Sequence, residues 1–320
     1  MKEFIHKLPV PLAGLMLALA AEGNLVAVYG SSYKMIFGSL AGIILLLFII
    51  KIVFNMPAIL ADFSNPVIAS VAPTFSMAII ILAAYINPGL PRLAYGMWLA
   101  GIFIHGALLV YFTNRFIFHF NIRNVFPSYF IVYVGIVTVS VTAPAFNALT
   151  LGRGIFWFGF ITYLALLPVV MYRVLAVKAI PEPVLPNIAI FAAPASLCLT
   201  GYLNSFPQKD MTLLWLLIIL SLMMFFVVLL YMPKMLRLKF YPSYSAFTFP
   251  FVISAAAMKA ADGFLFKTNQ TVPALKDVAG FEEVFAGMIV IYVLLRYIRF
   301  LFFLLIPRDG TEVSKMKILS

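Results

Sequence analysis

The sequence predicts an all-α membrane protein: ten transmembrane helices forming five like-oriented helical hairpins, set in a quasi-five-fold ring around a central pore. Three observations predict it. The composition is too apolar for a water-soluble core, the Lys/Arg bias sets the parity of the crossings, and a proline-marked unit recurs five times.

Of the 320 residues, 64% are hydrophobic and only 10% are charged, and the mean hydropathy is +1.08. A soluble domain is about half apolar and about a quarter charged. No core of this length could hide so much apolar surface from water, so the solvent is lipid. The net charge of +11 does not form a basic domain. Its Lys and Arg residues sit at the ends of apolar runs, which points to a membrane surface and away from nucleic acid. The single cysteine, Cys198, lies in an apolar segment and reads as a small buried hydrophobe. The start, MKEFIHKLPVPLAGL, places charges before an apolar run. No clear small-residue cleavage site follows, so it reads as a first span and not as a cleaved leader.

A crossing helix needs about 20 predominantly apolar residues. Apolar runs between breakers give spans at 9–29, 33–54, 66–86, 93–115, 127–147, 153–175, 186–204, 211–233, 243–265 and 281–304. The loops alternate, tight within each pair and longer and more basic between pairs, which makes a string of hairpins. The whole of 1–320 reads as one transmembrane domain, with repeats at about 9–54, 66–115, 127–175, 186–233 and 242–304. Fifteen of the 22 Lys and Arg residues fall at the N-terminus, in the even loops and at the C-terminus, including Arg308, Lys315 and Lys317. Cytoplasmic loops carry the positive excess, so both termini are expected in the cytoplasm. That requires an even number of crossings.

Each odd span opens at a proline: Pro9, Pro66, Pro127, Pro186 and Pro242, spaced by 57, 61, 59 and 56 residues. Proline suits a first helical turn, where its missing N–H would be unpaired anyway. A second breaker follows seven or eight residues later at Pro73, Gly135, Pro194 and Pro250, with Gly14 in its place in the first span. A fixed period signals repeated units packed side by side, here with odd helices inside and even helices outside. Hydroxyls follow the same division. Outside the first span the odd spans hold thirteen, among them Thr74, Thr138 and Thr248, and the even spans hold five. A backbone carbonyl freed by a breaker must be satisfied by protein or by water in a cavity. Breakers at one depth in alternate helices therefore predict a shared central cavity, with Gly14, Pro73, Gly135, Pro194, Pro250, Thr74, Thr138 and Thr248 lining it or kinking its walls.

Nothing resembles catalytic chemistry. His6, His105 and His119 show no metal-site spacing, and no zinc-protease, nucleophile-elbow or phosphate-loop motif occurs. No cofactor is expected, and no nucleotide-binding domain is present to drive a pump. Two charges stand clearly inside spans, Glu22 in LAAEGNLVA and Lys259 in AAAMKAADG. A charge in a span is a functional candidate by default, and a ring would bring the first and fifth hairpins together as a Glu22–Lys259 pair. The competing reading is that both snorkel to the outer interface. With no acidic ring to select cations, basic mouths and internal hydroxyl or backbone donors would favour small, weakly hydrated anions.

The motifs LPVPLAGLMLALAA (8–21), SNPV (64–67), PSYF (127–130), AAPASLCLTGYL (192–203) and SAFTFPF (245–251) resemble the tellurite-resistance/dicarboxylate transporter family. That family includes bacterial TehA and the slow anion channel of plant guard cells. The resemblance implies a pore lined by odd helices and blocked by a phenylalanine of the ninth, which falls on Phe249. Its ring would rotate into a pocket among Gly14, Gly135, Ala193 and Ala195. The resemblance also implies a homotrimer in membrane lipid, expected in a bacterial or archaeal inner membrane, with inorganic or small organic anions as substrates. The alternative is a secondary carrier or exporter of C4-dicarboxylate, sulfite or tellurite-type oxyanions, proton-coupled through Glu22.

Overall fold

A computed structural model describes residues 2–305. Arg308, Lys315 and Lys317, used in the charge count, lie outside the described residues. Among the described residues there are helices and turns and no strand. The helices are α1 (Lys2–Lys7), α2 (Leu12–Leu25), α3 (Ser31–Asp62), α4 (Pro66–Val71), α5 (Thr74–Ile86), α6 (Pro91–Phe112), α7 (Tyr129–Tyr133), α8 (Thr138–Thr142), α9 (Leu149–Tyr172), α10 (Ala193–Ser205), α11 (Met211–Met235), α12 (Phe249–Lys267) and α13 (Pro273–Leu305). Short 3-10 stretches extend several of them, notably Glu182–Ala192 before α10 and Pro242–Phe247 before α12.

Nine helical stretches among the described residues are long and apolar enough to cross a membrane. They answer to nine of the ten expected spans, at shifted boundaries. The last begins at Pro273, eight residues before the predicted 281. The exception is the fifth, 127–147. It is broken into α7, a 3-10 turn at Gly135–Val137, α8 and a second 3-10 turn at Ala143–Phe146, ending at Asn147 with φ 53°. The local cause is legible. Gly135 and Pro144 bracket a run of β-branched residues, Ile136 to Val139, that lose side-chain freedom in a helix.

Neighbours hold this broken backbone. His105 on α6 bridges the carbonyl of Val132 (3.1 Å) and the hydroxyl of Ser76 (3.0 Å). Asn204 donates to the Val141 carbonyl (2.8 Å), and Ser205 to the Ser140 carbonyl (2.7 Å). Side chains of α6 and α10 thus satisfy carbonyls along this irregular backbone. His105 is fully buried in this role.

Burial sorts the segments into two classes. In the most apolar 18-residue stretch of each, 61–83% of residues are buried in the four intact odd segments, against 22–39% in the five even ones. The even helices expose Leu46, Phe54, Phe103, Ile161, Leu230 and Phe302 outward, the surface that lipid would solvate. Successive helices pack in pairs, α2 with α3, α5 with α6, α8 with α9, α10 with α11, and α12 with α13, while α10 packs still more extensively on α12 and α8 on α10. α3 kinks at Asn55 (φ −138°, ψ 28°). Pro57 is the cause, because it removes one ladder hydrogen bond and crowds the preceding turn.

Candidate functional site: a cavity shared by the five buried segments

The buried segments also touch one another in sequence. α2 packs on α5, α5 on α8, α8 on α10, α10 on α12, and α12 on α2. Between them lies a cavity of about 70 Å3 to which every odd segment contributes. Gly14 and Leu17 come from the first span, Val71, Thr74 and Met77 from the third, and Phe130 and Gly135 from the broken fifth. Asn187, Ala193 and Pro194 come from the seventh span, and Ser245, Phe249 and Pro250 from the ninth.

Helix starts explain why these residues meet. α2 begins at Leu12, α5 at Thr74, α10 at Ala193 and α12 at Phe249. Residues at or beside all four starts line the cavity. Pro73 is the residue before α5, and Pro194 and Pro250 stand second in α10 and α12, first-turn positions where a missing N–H is tolerated. A helix N-terminus carries roughly half a positive elementary charge. Four helices start at one cavity with no acidic side chain in its wall; amides of their first turns, such as those of Gly14, Phe75 and Phe251, are bonded to the preceding turns, so these starts act through their dipoles and not through free N–H groups.

Six of the residues singled out in the sequence line the cavity: Gly14, Thr74, Gly135, Pro194, Phe249 and Pro250. Three do not. Pro73 caps α5 from behind the wall. Thr138 and Thr248 are fully buried, and each donates at 2.6 Å to a carbonyl of its own segment, Gly135 and Ser245 respectively. Thr74 lines the cavity, but its proton goes to the Val71 carbonyl at 2.8 Å. Thr138 opens α8 and Thr248 immediately precedes α12, so both stand at the kinks of their segments. A broken helix frees carbonyls, and the nearest hydroxyls satisfy them.

Gly14 is a close approach and not a break, since α2 runs through it. A Cβ there would sit 3.1 Å from Ser245 Oγ. Gly135 starts the 3-10 turn, and a Cβ would meet Met77 Sδ at 2.7 Å. Phe249, the first residue of α12, is 7% exposed. Ala193 lines the cavity beside it, whereas Ala195 is buried elsewhere and does not.

Asn187 was missed in the sequence. It lines the cavity, is 1% exposed, and its Nδ2 has no hydrogen-bond partner among the described residues. The signal was present, an amide one residue after Pro186 inside an apolar span. Charges, hydroxyls and breakers in spans were singled out in the sequence, and amides were not.

The predicted Glu22–Lys259 pair sits within a larger group, because Glu22 lies within electrostatic range of both Lys259 and Glu283. Lys259 Nζ pairs with Glu283 Oε1 at 2.6 Å and lies 4.9 Å from the centre of the Tyr29 ring. Tyr29 in turn donates to Glu283 at 3.1 Å. Glu22 is 2% exposed, beside Gly287 of α13, and its Oε2 has no hydrogen-bond partner among the described residues. A second carboxylate, Glu282, is fully buried with both oxygens unpartnered. Glu282 and Glu283, at the start of the last predicted span, were not singled out in the sequence. Among the described residues no group of His, Cys, Asp and Glu could hold a metal ion.

No curated protein matches the chain. Residues 11–304 match the family SLAC1, described as a voltage-dependent anion channel, which is the family the sequence motifs resemble. Its members are membrane channels and transporters for anions and not enzymes. The match spans all five proline-marked repeats and the shared cavity, and the chain belongs to the voltage-dependent anion channel (SLAC1) family.

Proposed function

We propose that the chain is an anion channel that passes small, weakly hydrated anions through a pore lined by the five odd segments and closed by Phe249. In this reading 129–146 is the fifth of ten crossings, and the five hairpins, all oriented alike, close a quasi-five-fold ring. Both termini face the cytoplasm of a bacterial or archaeal cell, and three copies assemble side by side. The observation that carries the reading is the convergence of four helix N-termini on one cavity free of acidic side chains. The cyclic order of contacts among the odd segments supports the ring.

The mechanism follows from the wall. An anion entering an apolar passage must shed water, and helix ends and the free amide of Asn187 replace part of that hydration. Weakly hydrated anions lose least and cross best. With the Phe249 ring across the cavity, the passage is too small and too apolar to wet. Rotation of the ring toward Gly14, Gly135 and Ala193 would open it. Phe249→Ala should therefore raise anion current in planar bilayers by at least ten-fold, and unchanged current from a well-folded variant removes Phe249 from the gate. Asn187→Leu in the Phe249→Ala background should lower conductance and flatten selectivity among anions. Unaltered reversal potentials in mixed-anion solutions would deny Asn187 that contact.

A second reading, a proton-coupled carrier of dicarboxylate or oxyanion substrates, is favoured by one observation, the buried and partly unpartnered carboxylate of Glu22. It predicts saturable uptake that follows a pH gradient and loses that dependence in Glu22→Gln. Conduction that ignores the gradient counts against it.

A further inference from the structure

A second cavity, of about 690 Å3, lies on the outward side of α9 and α11, away from the central one. Its wall is apolar, built by Leu175, Met223, Val227 and Ile188 among others, and two lysines, Lys178 and Lys234, stand at it. Among the described residues neither lysine makes a salt bridge. Lys234 Nζ lies 5.2 Å from the centre of the Tyr231 ring, which also lines the cavity.

The segment carrying Lys178 is built to an unusual shape. α9 passes into a π-helical turn at Arg173–Val177, and Lys178 and Ala179 then both take positive φ, 55° and 53°. Two consecutive non-glycine residues in that region store strain that the surroundings must offset. Arg173, 2% exposed, donates to the carbonyls of Lys178 and Ala179 and reaches back to that of Arg123. A buried guanidinium thus fixes the loop that places Lys178 at the cavity.

We propose that this cavity is a binding site for one anionic phospholipid, an acyl chain lying along the α9–α11 wall and the phosphate between Lys178 and Lys234. The chemistry selects the occupant. An apolar trough of drug-pocket size (about 300–1,000 Å3) on a lipid-facing surface, with basic residues at one end, matches an anionic headgroup carrying a chain. Lys178 and Lys234 follow the sixth and eighth crossings, so they lie on the same face of the membrane, the one where the sequence concentrates its positive charge.

Occupancy would reach the central cavity through one element. Ile188 and Phe191 face the lipid site, while Asn187 and Ile190 of the same 3-10 stretch line the central cavity. Phe191 also packs edge-on against Phe130 (5.6 Å, 68°), another central-cavity residue. A bound lipid would brace the wall that carries Asn187. Binding itself does not rest on the pore reading, so it is tested without measuring current.

The test is native mass spectrometry and thermal unfolding of the full chain in detergent, titrated with phosphatidylglycerol or phosphatidylcholine. The expected result is retention and stabilisation by phosphatidylglycerol over phosphatidylcholine. Lys178→Gln and Lys234→Gln should each weaken it by about five-fold, the attraction of one basic side chain for anionic lipid. Lys239→Gln, the same charge change outside the cavity, should leave it unaltered. Val227→Trp should abolish retention by filling the trough with both lysines intact, which keeps the test valid if a lysine variant fails to fold. Equal retention of the two lipids, equal loss in Lys239→Gln, or displacement by free glycerol phosphate would overturn the proposal. So would disulfide cross-linking of two copies through Val227→Cys, which would make this face a protein interface.

Discussion

His105→Leu is the most direct probe of how the broken fifth segment stands at membrane depth. The substitution keeps an apolar side chain of similar reach at a fully buried position. It removes two contacts, the Nε2 bond to the Val132 carbonyl at 3.1 Å and the Nδ1 contact with Ser76 Oγ at 3.0 Å. Ser76 keeps a partner, because its hydroxyl also reaches the Pro73 carbonyl at 2.8 Å. The Val132 carbonyl lies where α7 gives way to the 3-10 turn, so its loss dominates. Interhelical hydrogen bonds in membranes contribute about 0.6 kcal/mol on average and up to about 1.7 kcal/mol. A buried polar group left without a partner costs about 1–3 kcal/mol. Together these set the expected destabilisation at about 1–3 kcal/mol, read as a shift in unfolding equilibrium in bicelles. A double-mutant cycle with Ser76→Ala should show coupling below 1 kcal/mol, since Ser76 retains its backbone acceptor. A loss under about 0.5 kcal/mol for His105→Leu would refute the reasoning, because bonds of that importance cannot vanish without effect. Because Gly135 lies close to His105 Cε1 (3.2 Å from a built Cβ) and lines the cavity, the same variant should also broaden the Phe249→Ala open current.

Two charge predictions follow from α13. Lys259→Met should destabilise the protein by only about 1 kcal/mol, because the lysine is 35% exposed and partly screened. Glu283→Gln in that background should recover part of the loss, and coupling of Lys259 to Glu22 stronger than to Glu283 would contradict the observed pair. Glu282→Met should raise the unfolding temperature, since it replaces a fully buried carboxylate whose polar neighbour is the single hydroxyl of Ser254 by an apolar side chain. A fall in unfolding temperature would mean that Glu282 is held firmly, by Ser254, a bound ion or an ordered water.

The placement of the helices was largely legible. Nine spans were found because a run of about 20 apolar residues has few alternatives once lipid is the solvent. The breakers Pro73, Gly135, Pro194 and Pro250 were found because proline and glycine act locally, whatever surrounds them. Gly14 was placed at the cavity for the wrong reason, as a break and not as a close contact with Ser245. The partners of charges and hydroxyls were not legible. Lys259 bonds directly to Glu283, with Glu22 in electrostatic range of both, because α13 packs directly on α12. Thr138 and Thr248 turn back to their own carbonyls, a choice that depends on rotamer and on which backbone groups a break has freed.

By itself the sequence determined the solvent, the order of crossings, the two classes of helix and the depth at which the odd helices break. These follow from composition, periodicity and residues that act within one turn. Only the tertiary structure decided that the fifth segment is not one helix, that Asn187 is the free amide in the cavity, and that four helix N-termini converge there. Each of those depends on which segments share a boundary in space. Apolar runs of nearly equal hydropathy do not encode their neighbours in their own pattern, and only the packed arrangement settles which donors meet which carbonyls.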